Sequence, residues 1–277
     1  MNSVISHATG EQGWLAQLNL SFAEREGRTY LANRSHVGPL VVQRAFHPEG
    51  NTCHAYIVHP PGGIVGGDEL RLDVDVQKGT QVLLTTPAAT KFYRSAGRFA
   101  SQYQTLTVQA AQLEWLPQET IFFAGSRARA ETRIMLESGS RFIGWEIPCL
   151  GLPARNQPFE QGELELNLEL WRDGTPLFID RMRLSGDSPA RNAAWGLAGH
   201  EAIGTMIAYP ATREHADMAR AIVCETISSV TLVDGVLVCR ALGPQAGPVK
   251  DWLIEVWKQL RPMLLGRAPI LPRIWAT

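Results

Sequence analysis

No stretch of this 277-residue chain approaches the roughly 18 consecutive apolar residues of a membrane-spanning helix, so no such span is expected. Cysteine is scarce. Cys53, Cys149, Cys224 and Cys239 are scattered without a CxxC pair, which gives no sign of a thiolate metal knuckle and suits reduced, mostly buried thiols in the cytoplasm. Net charge is nearly absent: 26 Lys and Arg face 27 Asp and Glu, leaving −1. Such a chain has no global field for nucleic acid or an anionic membrane, and neither is expected as a partner. Residues 1–12 are polar and lack the apolar core of a secretory signal. They read as a disordered tail before one domain spanning 13–277. The usual catalytic punctuation is missing as well: the chain has no GK[ST], no G-x-S-x-G and no HxH or HxxxH pair.

What the sequence does have is period-two alternation. In Glu69–Val76, Leu70, Leu72, Val74 and Val76 share one face, while Glu69, Arg71, Asp73 and Asp75 share the other. Glu163–Leu170 repeats the pattern with Leu164, Leu166, Leu168 and Leu170 inward, although Leu and Glu favour helix. Asp173-Gly174 and Asp234-Gly235 supply the positive φ angles of tight hairpins, and Lys78-Gly79 and Ser138-Gly139 mark further turns. Two stretches carry helical periodicity instead, 211–228 and 248–261, with Pro248 in a first turn and Pro262 as a stop. The expectation is a mainly β protein, a sandwich, barrel or stacked-sheet solenoid, with two helices in its last third.

Four places invite a chemical explanation. His59-Pro-Pro-Gly-Gly-Ile-Val-Gly-Gly-Asp68 is rich in glycine but leads into a strand, so no helix N-terminus is there to hold a phosphate. Its ordinary role is a structural turn, closed by Asp68 through bonds to backbone N–H groups. His47, Cys53, His54 and His59 cluster in sequence. On a strand, however, Cys53 and His59 lie roughly 20 Å apart, too far to share an ion. Asp180 alternates with Phe178, Met182 and Leu184, which aims a carboxylate at an apolar face; it needs an Arg partner from another strand or a hydrated space. Lys91-Phe92-Tyr93-Arg94 mixes aromatic and basic side chains, as protein interfaces do, though core packing accounts for its aromatics equally well.

Several ordered blocks resemble the urease accessory protein D family, called H in some bacteria. They are Gly38-Pro39-Leu40 with Val42-Gln43-Arg44; Cys53-His54 followed by the segment from His59 to Leu70; and Thr86-Pro87 with Thr90–Ser95. Glu114-Trp115-Leu116-Pro117-Gln118-Glu119, Leu260-Arg261-Pro262 and the closing Pro272-Arg273-Ile274-Trp275-Ala276-Thr277 complete the set. Leu150-Gly151-Leu152-Pro153 departs from the family's LGRP by losing an Arg. The resemblance runs from about Gly13 to Thr277. It implies a β-helical, elongated stack of sheets and a non-enzymatic scaffold and metallochaperone in the cytoplasm. Its implied partners are a helical accessory protein F, through it a GTP-hydrolysing accessory protein G, and apo-urease. Nickel(II) would be carried transiently along a hydrated interior passage bordered by Asp68 and Asp180, with no tightly bound cofactor. His59, Gly62, Gly63, Gly66, Gly67, Lys91, Phe92, Tyr93 and Arg94 would form the interface or structural motif. The alternative is an adaptor that bridges urease and the GTPase complex without touching nickel.

Overall fold

The computed structural model describes residues 13–276; the tail expected over 1–12 lies outside the described residues. An opening antiparallel pair, β1 (Leu15–Arg25) and β2 (Arg28–Val37), is followed by β3 (Val41–Val42) and β4 (Cys53–Val58). Three coils of three strands come next. The first is β5 (Glu69–Val76), β6 (Gln81–Thr85) and β7 (Thr90–Phe92); the second is β8 (Ala100–Val108), β9 (Gln112–Trp115) and β10 (Thr120–Phe122). The third is β11 (Ser126–Leu136), β12 (Arg141–Glu146) and β13 (Pro148–Leu150). Equivalent strands of successive coils pair in parallel, β5 with β8 and β8 with β11, β6 with β9 and β9 with β12, β7 with β10 and β10 with β13. That is the repeating geometry of a β-helical stack. Gly79 and Gly139, both at positive φ, turn the chain from one sheet to the other at corresponding corners.

The chain closes with β14 (Gly162–Arg172), β15 (Thr175–Ser185), β16 (Ala202–Tyr209), α1 (Arg213–Ala221), β17 (Ile227–Val233), β18 (Val236–Gly243) and α2 (Ala246–Leu265). One sheet runs β15-β14-β11-β8-β5-β1-β2; the other is ordered β3-β4-β6-β9-β12-β16-β13-β10-β7, with β18 and β17 continuing from β16. Alternation explains the layering. Leu70, Leu72, Val74 and Val76 are all buried between the sheets with Leu18, Phe22, Leu106 and Ile134. A second core forms where α2 turns Trp252, Leu253, Val256, Trp257 and Leu260 onto Leu83, Ile143, Trp145 and Met206. The spacing of those helix residues is the i, i+3, i+4 stripe of a helix with one buried face.

Both helix boundaries differ from expectation. The first helix ends at Ala221, not 228, because Ile222 is already extended and Ile227–Val233 pairs with β18 across the Asp234-Gly235 hairpin. The β-branched run there gains more from the ladder than from a helical turn, and Val223, within the expected 211–228 helix, is exposed. The second helix reaches from Ala246 to Leu265 and carries Pro262 inside its last turn, with Gly266 in the left-handed region as its cap. No helix among the described residues is long and apolar enough to cross a membrane.

Candidate functional site

The Gly-rich turn and the Lys91–Arg94 segment, separate in sequence, form one unit. Ile64 N–H donates to Lys91 O at 2.7 Å and Tyr93 N–H donates to Ile64 O at 2.9 Å, so the turn is bonded along the edge strand β7. Glycine is required by contact. A Cβ at Gly63 would stand 2.1 Å from the Tyr93 ring, and one at Gly66 would stand 2.2 Å from Ser95 Oγ. Gly62 and Gly67 adopt positive φ angles of 80° and 98°. The end of β7 at Phe92 divides the aromatic-basic segment. Phe92 is buried and stacks on Phe122, while Tyr93 and Arg94 face solvent, Tyr93 against Phe123.

Asp68 locks this turn. It is 2% exposed; its Oδ2 accepts from Val65 N–H at 3.0 Å and its Oδ1 accepts from Trp14 N–H at 3.3 Å. Its carboxylate is therefore the backbone-binding closure weighed in the sequence, and its charge also acts on His59. Burial pushes the His59 imidazole down from its ordinary value, opposed by Asp68. His59 lies against Trp14 with ring centroids 5.5 Å apart, and its Nε2 is buried without a hydrogen-bond partner.

That imidazole lines a cavity of about 160 Å³ between the two sheets. Gly62, Lys91, Gln102, Gln104, Thr132 and Glu146 contribute to its wall beside apolar Leu70, Leu72 and Leu166. A space that holds several polar groups and one unpaired imidazole nitrogen is suited to water and to small hydrated solutes. Glu146, which the sequence analysis passed over, is an ionisable group of that wall. Burial raises its carboxyl to about 7, opposed by a hydrogen bond with Thr132 and supported by the charge of Asp180. Its one signal in the sequence is the position after Ile143-Gly144-Trp145, at the end of an apolar strand.

Asp180 occupies the rim of this interior rather than its apolar depth. Its Oδ2 accepts from Arg240 Nη2 at 2.7 Å, and the side chains are 35% and 48% exposed. The expected inward orientation among Phe178, Met182 and Leu184 is thus only half realised. β15 is the edge strand of its sheet, so its inner face reaches solvent. The Arg partner from another strand, one of the two explanations open at the sequence level, is present.

The remaining candidates separate. His54 is bonded to Glu49, His47 lies 2.7 Å from Thr29 O through Nε2, and Cys53 is buried, its thiol pushed up to about 12 by burial. No group of three or more His, Cys, Asp or Glu residues suited to holding a metal ion occurs among the described residues. The conspicuous buried charges lie elsewhere. Arg261 is fully buried; its Nε donates to Glu114 Oε2 at 2.9 Å and its Nη1 to Glu49 Oε2 at 2.8 Å. Arg267 and the Trp257 indole also donate to Glu114. This network ties α2 and the chain that follows it to the second sheet.

Comparison with known proteins agrees with the motifs. A model of the UreD urease accessory protein family matches residues 15–276. The chain is 44% identical over 278 residues to a urease accessory protein UreD of Alkalilimnicola ehrlichii, covering 98% of this chain and 94% of that one. It is 42% identical to proteins of the same description from Escherichia coli and Klebsiella aerogenes, covering 96% of this chain and 98% of theirs in both cases.

Proposed function

The chain belongs to the UreD family of urease accessory proteins, with a role in urease maturation, and we propose that it fills that role as a cytoplasmic scaffold that conducts nickel. In this proposal it binds accessory protein F, through it the GTPase accessory protein G, and apo-urease. It catalyses no reaction itself. Nickel(II), the cargo, crosses the interior transiently and reaches apo-urease without free release.

The observation that carries the nickel part is the polar-walled cavity between the sheets, with the unpaired His59 Nε2 on one wall and Glu146 on another. Asp68 and Asp180 stand beside these groups, Asp68 acting on His59 and Asp180 on Glu146. Both carboxylates are already bonded within the protein, so their contribution is negative potential at the two flanks of the route. Weak, successive attraction suits a passage better than a closed cage does, since a cation held tightly does not move on. The exposed Tyr93 and Arg94, beside the Gly-rich turn, present an interface of the composition found in binding hot spots.

The adaptor reading draws on one observation as well: the Asp180–Arg240 pair gives Asp180 a purely structural occupation. A pull-down of the full chain with proteins F and G and apo-urease, followed by nickel-dependent activation, separates the two. The conduit requires that interior substitutions reduce activation in an intact complex; the adaptor requires that only surface substitutions do.

A further inference from the structure

The two sheets meet in a pair of facing rows. In the first sheet, the register aligns Gln104 of β8, Thr132 of β11, Leu168 of β14 and Asp180 of β15. In the second, Glu146 of β12, Thr205 of β16 and Arg240 of β18 are aligned. The rows touch twice, through Thr132 with Glu146 and through Asp180 with Arg240. Side chains in such rows are ordinarily the apolar filling of a stacked-sheet core, so a polar row there calls for a reason.

Hydrogen-bond accounting at the first contact is restrictive. Thr132 Oγ1 has one proton and two neighbours, Gln104 Oε1 at 2.7 Å and Glu146 Oε1. If Thr132 donates to Gln104, it can only accept from Glu146, which must then be a protonated acid. If the Gln104 amide is turned over, its NH₂ donates to Thr132 and Thr132 donates to a Glu146 carboxylate. The same three side chains thus have two states in which this chain of bonds is satisfied, and they differ by one proton on Glu146. Burial, opposed by Thr132 and supported by Asp180, sets the exchange between them at about 7. The charged groups facing Glu146 are few. Asp180, though paired with the partly exposed Arg240, still acts on Glu146 through its charge, and His59 and Lys91 lie along the cavity wall. From β11, Glu131 reaches the wall paired with Arg133, while β16 and β14 present uncharged Thr205 and Leu168.

We propose that Gln104, Thr132 and Glu146 form a proton-controlled gate, neutral and closed to cations when Glu146 donates to Thr132, negative and receptive when Glu146 accepts from it. The gate deepens the conduit reading and rests on it. A dication arriving in the cavity favours the carboxylate state, the proton leaves to water, and the amide of Gln104 turns over. Departure of the dication toward urease lets the proton return, so the interior does not retain its cargo.

Infrared spectroscopy of the full-length chain tests this through the C=O stretch of a protonated carboxyl group. The wild type should show one such band titrating with a midpoint near pH 7, absent from Glu146→Gln. Thr132→Val, which removes the bond that favours the carboxylate, should raise the midpoint. Adding nickel(II) chloride at a pH just below the midpoint should diminish the band in the wild type and release a proton. A spectrum of Glu146→Gln identical to the wild type above pH 6, or a wild-type band unmoved by nickel, overturns the gate. Failure of the conduit itself is read separately. If a chain with the cavity filled by Ala130→Phe still loads urease with nickel, the route is wrong whatever the band does.

Discussion

Replacing Arg261 with methionine removes the guanidinium that joins α2 to the second sheet while keeping most of the side-chain volume. In the folded protein Arg261 serves two carboxylates, Glu114 and Glu49, and neither is exposed to water by more than a few per cent of its side chain. Removing one member of a buried pair costs about 3–5 kcal/mol because the partner charge stays buried. Three residual contacts moderate this. Glu114 keeps Arg267 and the Trp257 indole, and Glu49 keeps His54. The expected loss is therefore at the lower end, about 3 kcal/mol, or a fall of about 6–12 °C in the thermal midpoint for a chain of this size. Thermal unfolding of the wild type and Arg261→Met, followed by circular dichroism at neutral pH, measures it. Lys258→Met is the control, since its ion pair with Glu255 on the same helix is solvent-exposed and worth at most about 0.5 kcal/mol. A loss below about 1 kcal/mol for Arg261→Met would refute the claim that this network anchors the helix.

Other expected outcomes follow from the same geometry. Acid unfolding should report on Glu49, held down at about 2 by His54 and Arg261 against the opposing effect of burial. Its stabilising contribution is complete above the unfolded value of 4.5 and disappears as pH falls from there toward 2, so Glu49→Gln should flatten that limb of the stability profile. Glu146 has the opposite sign. Its raised value means the fold is favoured while the acid is protonated and loses about 3 kcal/mol as pH rises from 4.5 to about 7, a slope that Glu146→Gln should abolish in denaturant titrations. Asp180→Ala should cost only about 0–1 kcal/mol, because its pair with Arg240 is partly solvated; a much larger loss in thermal melts would place that pair deeper than its exposure indicates. Gly63→Ala should displace the Tyr93 ring and weaken capture of accessory or urease subunits in pull-downs more than it lowers the melting temperature.

The β architecture was legible because alternation is a local signal: the inward faces of β5 and β14 carry the same leucines and valines that the sequence pattern selected. Asp173-Gly174 and Asp234-Gly235 were legible for a similar reason, since the hairpin they close is only a few bonds away. The end of α1 was not, because Val223 and Ile227 satisfy a helical stripe and a strand equally well until the pairing partner is known. Glu146 also escaped notice. A glutamate at the end of an apolar strand looks like a solvated terminus, and only the opposing row of Gln104 and Thr132 shows that it faces the interior. Arg261 appeared in the sequence as part of a closing motif, but its carboxylate partners lie 147 and 212 residues away along the chain, beyond any local pattern. Asp180 shows the limit of alternation itself. The period fixes which face a side chain takes, and the position of its strand at the sheet edge decides how dry that face is.

Nickel bound to urease co-purified from cells that carry Ala130→Phe in place of the wild-type chain addresses the conduit directly. Ala130 lines the cavity between Gln102 and Leu166 in one register row, so an aromatic ring there occupies the space. Overpacking costs about 1–3 kcal/mol, which a parallel melt and pull-down monitor. The conduit predicts an assembled complex whose urease is poor in nickel; urease with a full nickel content would contradict it.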